Sequence, residues 1–222
     1  SRFLPDLLLS IFQQDYENLE LLVRDDGSND VTVDILNSFA EDKRLKILRG
    51  TNIGPINSFF YLLSHSSGDA SYFSFCDQDD VWLPYKIRWA IKALKKVGDE
   101  IPALYCSRVI IVDEKLKFKS LAKMPRRKLA INNALVENVV TGCTIVINKR
   151  AKELFVNYIP QHALMHDMWM YLVISSLGKI IYDPRPTVLY RQHGSNIVGI
   201  KSHSLKARFR RFFKNKRGRA LV

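Results

Sequence analysis

Tyr72-Phe73-Ser74-Phe75-Cys76-Asp77-Gln78-Asp79-Asp80 passes from a short, largely apolar run straight into three carboxylates within four positions. The first half predicts a buried strand and the second half the loop at its carboxyl end. Pro84 then opens a helix, with Ile87, Ile91 and Leu94 predicted inward and Lys86, Lys92, Lys95 and Lys96 outward. Upstream, the same alternation repeats. Leu8, Ile11 and Phe12 recur at helical spacing, and an apolar run at residues 19–23 stops at Arg24-Asp25-Asp26-Gly27-Ser28. A helix through Val33 and Leu36 precedes a strand at 45–48, and Asn52-Ile53-Gly54-Pro55 turns into a helix with Ile56, Phe59, Phe60 and Leu63 on one face. Downstream, residues 103–112 are almost uniformly apolar, as a strand buried on both faces requires. Residues 139–147 read as a strand broken at Thr141-Gly142-Cys143. Residues 165–177 read as a helix closed by Gly178, with short strands at 180–182 and 188–190 around Pro184 and Pro186. The fold class is α/β, with a mostly parallel central sheet flanked by helices.

The 222 residues are 47% hydrophobic and 25% charged, which excludes a disordered chain. The formal net charge of +12 suggests a polyanionic partner until it is located. Nine of the 34 Lys and Arg lie in residues 201–222, which hold no acid, so 25 basic residues face 22 acidic ones in residues 1–200 and the body is only +3. Cys76, Cys106 and Cys143 are odd in number and lack C-x-x-C spacing, which argues against a disulfide framework or zinc site and for a reducing cytosol. No apolar run reaches the ~18 residues of a spanning helix, and no signal peptide opens the sequence.

In open parallel sheets, ligands bind at the carboxyl ends of strands. Two acidic clusters stand there, Asp25 with Asp26 and Asp77 with Asp79 and Asp80. Three carboxylates so close repel one another unless a cation or donor set is present. A hard divalent ion with oxygen ligands, Mg²⁺ or Mn²⁺, would resolve that and leave positions open for phosphate oxygens. The plainer alternative is a solvated loop whose Asp80 caps the helix near Pro84.

At this point the sequence resembles the family 2 glycosyltransferases of the GT-A fold, and among them the bacterial rhamnosyltransferase-like members. The matching stretches are Leu9-Ser10-Ile11-Phe12-Gln13-Gln14-Asp15-Tyr16, Asp25-Asp26-Gly27-Ser28-Asn29-Asp30, Asn52-Ile53-Gly54 and Phe75-Cys76-Asp77-Gln78-Asp79-Asp80-Val81-Trp82-Leu83-Pro84. Thr141-Gly142, His166-Asp167-Met168-Trp169 and Tyr190-Arg191-Gln192-His193-Gly194-Ser195-Asn196 follow, so the resemblance spans nearly all of residues 1–200. It implies that Asp25 and Asp26 hold the nucleotide base and ribose. It implies too that Asp77-Gln78-Asp79 is the D-x-D motif, Asp79 binding the metal and Asp77 the ribose or metal. Asp167 matches the general base of inverting members, His193 a further metal ligand, and Gly142 a glycine loop beside the donor sugar. Trp82 and Trp169 are candidate sugar or acceptor contacts. Each has an ordinary alternative: a helix cap for Asp167, a loop histidine for His193, a strand bulge for Gly142, and core packing for the two tryptophans.

The implied activity is metal-dependent inverting transfer, with dTDP-rhamnose favoured over a UDP-sugar as donor and a polysaccharide or lipid-linked glycan as acceptor. Family members open with a hydrophobic strand ahead of the helix that here starts near Leu4, so a fragment or an upstream segment is expected. Residues 1–200 are expected to form the catalytic domain and 201–222 a basic tail. Leu205, Phe209 and Phe212 or Phe213 alternate there with Arg208, Arg210, Arg211 and Lys214, a pattern suited to an anionic membrane surface or to packing on the domain. The expected location is cytoplasmic and peripheral at the inner face of the membrane. A nucleic-acid-binding protein would spread its basic residues over a folded face, which terminal charge and acidic strand ends disfavour. A noncatalytic transferase-like binding module is the remaining alternative.

Overall fold

The structure, a computed structural model, describes residues 2–160 and 163–194. In chain order its helices are α1 (Leu4–Phe12), α2 (Thr32–Ser38), α3 (Pro55–His65), α4 (Lys86–Lys95), α5 (Ile131–Ala134), α6 (Lys149–Asn157) and α7 (His166–Leu177). Its strands are β1 (Leu21–Asp25), β2 (Leu45–Arg49), β3 (Tyr72–Ser74), β4 (Val81–Trp82), β5 (Ala103–Val112), β6 (Phe118–Leu121), β7 (Val146–Asn148) and β8 (Lys179–Arg191). Contacts divide the chain into one unit, Ser1–Arg191, which contains every one of these elements, and a second, Gln192–Val222. The basic tail at 201–222 lies outside the described residues.

The α/β class holds, and the strand directions are mixed. β1 and β2 form a parallel pair, and a six-stranded sheet runs β3-β7-β5-β8-β4 with β6 also on β5. The two longest ladders, β1 with β2 and β5 with β8, are parallel, whereas β3–β7, β5–β7, β4–β8 and β5–β6 are short and antiparallel. The expectation of a mostly parallel sheet therefore holds for the long ladders and fails for the others. The reason is connection length. α6 and α7 provide the long crossover that a parallel β5–β8 pair needs, while β6 follows β5 through a tight turn that reverses the chain.

β5 is buried along nearly its whole length, as its unbroken apolar run requires. The two strands expected around Pro184 and Pro186 are one strand, with register shifts opposite Ser107 and Arg108 that absorb the prolines. Phe60, Leu63, Phe73, Phe75, Leu104, Ile145, Ile147, Phe155, Met170 and Ile174 form the core under α3, α6 and α7, while α1 and α4 cover the other face. Gln14, just past α1, receives the Ile87 N–H in the first turn of α4 (3.2 Å) and donates to the Leu83 carbonyl (2.9 Å). Ser10 Oγ accepts the Trp82 N–H (3.0 Å). The end of α1 thus fixes the chain as it leaves the acidic loop.

Lys86 departs from its expected outward position, being fully buried. The buried stripe of α4 is wider than Ile87, Ile91 and Leu94 suggested, because Lys86 and Ala90 are stacked one turn apart beside it.

Gly178 closes α7 where β8 begins beside β5, and a Cβ there would run into the Pro102 carbonyl oxygen, which also accepts the Lys179 N–H (2.9 Å). Because that obstacle is backbone, Gly178→Ala is expected to destabilise the fold by about 2 kcal/mol, lowering Tm by roughly 5 °C in a calorimetric scan.

Candidate active site

The acidic loop between β3 and β4 distributes its carboxylates unequally. Asp80 is fully buried. Its Oδ1 accepts the Arg191 N–H (3.0 Å), and the Cys143 thiol also hydrogen-bonds to its carboxylate. Burial, with the Asp77 charge adding to it, raises the Asp80 carboxyl well above its usual range. It does not cap α4, whose N-cap residue is Tyr85 and whose first turn is served by Gln14. Asp77 is half-buried and pushed up to about 7 by burial first, then by the charges of Asp79 and Asp167. Those repulsions place Asp77, Asp79 and Asp167 within one electrostatic neighbourhood, although Asp167 lies far along the chain.

Asp167 stands in the first turn of α7, where Met165 rather than Asp167 is the N-cap residue. It is buried, and its Oδ1 accepts the Met168 N–H (2.6 Å). Burial raises its carboxyl, while hydrogen bonds from the Met168 N–H, the Asn138 side chain and the Gly142 N–H oppose the rise. Gly142 begins a 3₁₀ turn rather than interrupting a strand, so the strand-bulge alternative does not describe it. A Cβ on Gly142 would lie 2.8 Å from His166 Nε2 and 3.5 Å from Asp167 Oδ2, so glycine is what allows this turn to approach the head of α7. His166 is buried against the Phe59 ring, centroids 4.0 Å apart, and burial lowers its imidazole to about 4.

Behind the loop, Lys86 Nζ donates to Ser74 Oγ (2.7 Å) and sits 3.6 Å over the Trp82 ring. Burial brings this ammonium down to about 7. Trp82 is buried in the core cluster with α1, in accord with the core alternative, and the short β4–β8 pairing turns the ring inward. Trp169 packs against the core cluster under α7, in accord with the core alternative. At the end of β1, Asp25 is buried and its Oδ1 accepts the Ser28 N–H (3.2 Å) across a turn in which Gly27 has φ +82°. Asp26 pairs with Arg24 and accepts from Ser58 Oγ (2.7 Å). His193 lies two residues beyond β8, in the second unit, and is half-buried.

Among the described residues, ligand atoms of Asp77, Asp80 and Cys143 lie within 4.8 Å of one another. Burial holds the Cys143 thiol protonated, and that thiol donates to Asp80, so the cluster offers hard oxygen donors and not a thiolate. The donor set fits Mg²⁺ or Mn²⁺ better than zinc. Reasoning from sequence missed Arg191, Lys86, Asn138 and Cys143. Arg191 and Cys143 lie in or beside the motif stretches, but nothing in their spacing assigns them to Asp80.

The family model for glycosyl transferase family 2 matches residues 1–155. A relative in Haemophilus influenzae, described as an uncharacterized glycosyltransferase, is 30% identical over 215 residues, covering 91% of this chain and 65% of that protein. The dTDP-rhamnosyl transferase RfbG of Shigella flexneri is 29% identical over 221 residues, covering 94% of this chain and 74% of its own length. Among solved structures, the mannosyltransferase PcManGT of Pyrobaculum calidifontis, in complex with GDP-Man and Mn²⁺, superposes with a TM-score of 0.60 at 20% identity, covering 100% of this chain and 62% of that one.

A cation bound at Asp77 would compete with the proton that its carboxylate, pushed up to about 7, retains in the metal-free protein. Mn²⁺ affinity is expected to rise about tenfold per pH unit below pH 7 and to level off above it, with up to one proton released per ion. Calorimetric titration in two buffers of different ionisation enthalpy measures both.

Proposed function

The chain belongs to glycosyl transferase family 2, and from that premise we propose that it is an inverting, metal-dependent rhamnosyltransferase that uses dTDP-rhamnose. The acceptor in this reading is a lipid-linked glycan or growing polysaccharide of the cell surface, and the work is done at the cytoplasmic face of the membrane. The catalytic domain is residues 1–200. The observation that carries the proposal is the electrostatic convergence of Asp77, Asp79 and Asp167 from two distant segments. Similarity to RfbG over nearly the whole chain supports the donor assignment. The chain spans 65% of the length of the Haemophilus relative, and the activity of the whole protein is a proposal.

In this reading Asp25 and Asp26 receive the base and ribose through the N–H and hydroxyl donors of the nucleotide. Asp77 and Asp79 would hold Mg²⁺ or Mn²⁺, with His193 the further ligand that the family resemblance implies, and a bound cation would supply the charge that neutralises the departing diphosphate. Gly142 keeps a side chain out of the space beside Asp167, where the donor sugar enters. Asp167 accepts the proton of the acceptor hydroxyl as that oxygen bonds to the anomeric carbon from the face opposite the diphosphate. The bond from the anomeric carbon to the diphosphate oxygen breaks, and configuration inverts. The three hydrogen bonds to Asp167 favour the ionised form that a base needs, whereas burial keeps its proton affinity high.

A donor panel of dTDP-rhamnose and UDP-sugars with Mn²⁺ or Mg²⁺, read by nucleoside diphosphate release, tests this assignment. Asp79→Ala and Asp167→Asn are each expected to lose at least about 100-fold in rate, with donor binding retained in Asp167→Asn. Undiminished release in both variants defeats the mechanism, and release from a UDP-sugar alone defeats the donor.

A further inference from the structure

Residues 115–136 contain seven Lys or Arg and no Asp or Glu. This segment includes all of β6 and α5. All four residues of β6 are exposed, and so are Lys123, Met124, Arg126, Arg127 and Lys128 beyond it. Its apolar side chains are exposed alongside the cations: Phe118 by 63%, Leu121 by 41%, Met124 by 49% and Leu135 by 66%. Cationic and apolar side chains are thus exposed together along one stretch of chain, an unusual composition for a solvated edge.

The residues flanking the segment are tied to the site, through the main chain of the acidic loop on one side and the Asp167 carboxylate on the other. Just ahead of it, the Glu114 carbonyl accepts from Arg191 Nη1 (2.6 Å), and the same guanidinium donates through Nε to the Asp79 carbonyl (2.8 Å). Just after it, the Asn138 side chain hydrogen-bonds to Asp167. Between them α5 packs on α7, with Tyr171 Oη donating to Asn133 Oδ1 (2.6 Å). The segment therefore borders the site from the acidic loop to the head of α7.

We propose that residues 115–136 form a docking surface for an anionic bilayer, distinct from the tail at 201–222. Charge complementarity identifies the headgroups, and the interleaved Phe118, Leu121, Met124 and Leu135 identify the bilayer, because a soluble polyanion would engage the cations alone. The proposal rests on the transferase reading only for its consequence, that a membrane-held acceptor meets Asp167 without leaving the surface.

The test uses the full chain with residues 201–222 intact, sedimented with vesicles of phosphatidylcholine alone or mixed with phosphatidylglycerol. One variant carries Lys119→Ser, Lys123→Ser, Arg126→Ser and Arg127→Ser, and the other Phe118→Ser, Leu121→Ser and Met124→Ser. Wild type is expected to prefer the phosphatidylglycerol vesicles in a salt-sensitive way, and each variant to lower that partition by about tenfold or more. Wild-type partition in both variants overturns the proposal. So does loss in the charge variant alone combined with full competition by soluble polyphosphate, which identifies a polyanion site. Nucleoside diphosphate release in vesicle-free solution, measured on the same proteins, is expected to match wild type and confirms that both variants fold. If wild type releases none from any donor, the transferase reading fails while the vesicle result stands independently.

Discussion

A single buried guanidinium organises the site. Arg191 is 2% exposed, and a charge so placed is tolerated only when each donor finds an acceptor. Its Nε reaches the Asp79 carbonyl, Nη1 the Glu114 carbonyl and Nη2 the Asp6 carboxylate (2.7 Å), while its backbone N–H reaches Asp80 Oδ1. Four elements distant in sequence meet at these bonds: the first turn of α1, the acidic loop, the β5–β6 turn and the end of β8. The curvature of that loop, and hence the direction of Asp77, follows from this meeting point.

Three carboxylates within four residues have come to differ in kind. Asp80 is held by the Arg191 N–H on Oδ1 and lies beside the Cys143 thiol, fully buried. Asp77 keeps a proton up to about pH 7 because burial and its neighbours Asp79 and Asp167 all oppose its charge. Lys86 does not relieve that repulsion, since its ammonium is directed at Ser74 Oγ and the Trp82 ring and is itself brought down to about 7 by burial. A proton offsets the charge of Asp77, and a divalent cation would be the stronger compensation.

What was legible from sequence were features that depend on local periodicity or on the end of an apolar run. β5, the face of α3, the close of α7 at Gly178 and the position of both acidic clusters are of this type. What was not legible depended on partners far along the chain. Lys86 looks like a solvated helix residue until β3 and β4 close over it, and Trp82 looks available until β4 pairs with β8. The antiparallel ladders were missed for a related reason, because β4, β6 and β7 are two to four residues long and leave almost no alternation to read. Arg191 sits in a quoted motif, yet its four acceptors come from three other segments, and no spacing rule connects them.

The charge of the molecule is better described by place than by sum. Without the seven cations of residues 115–136, residues 1–200 hold 18 basic residues against 22 acidic ones. The nearly neutral body is therefore an acidic fold bearing one basic border, and that border is bonded at one end to the acidic loop through Arg191 and at the other to Asp167 through Asn138. The cations stand on β6 and the chain beyond it rather than within the acidic loop, an arrangement compatible with a metal in that loop. Cations inside the loop would pair with Asp77 and Asp79 and occupy the oxygens that a metal needs.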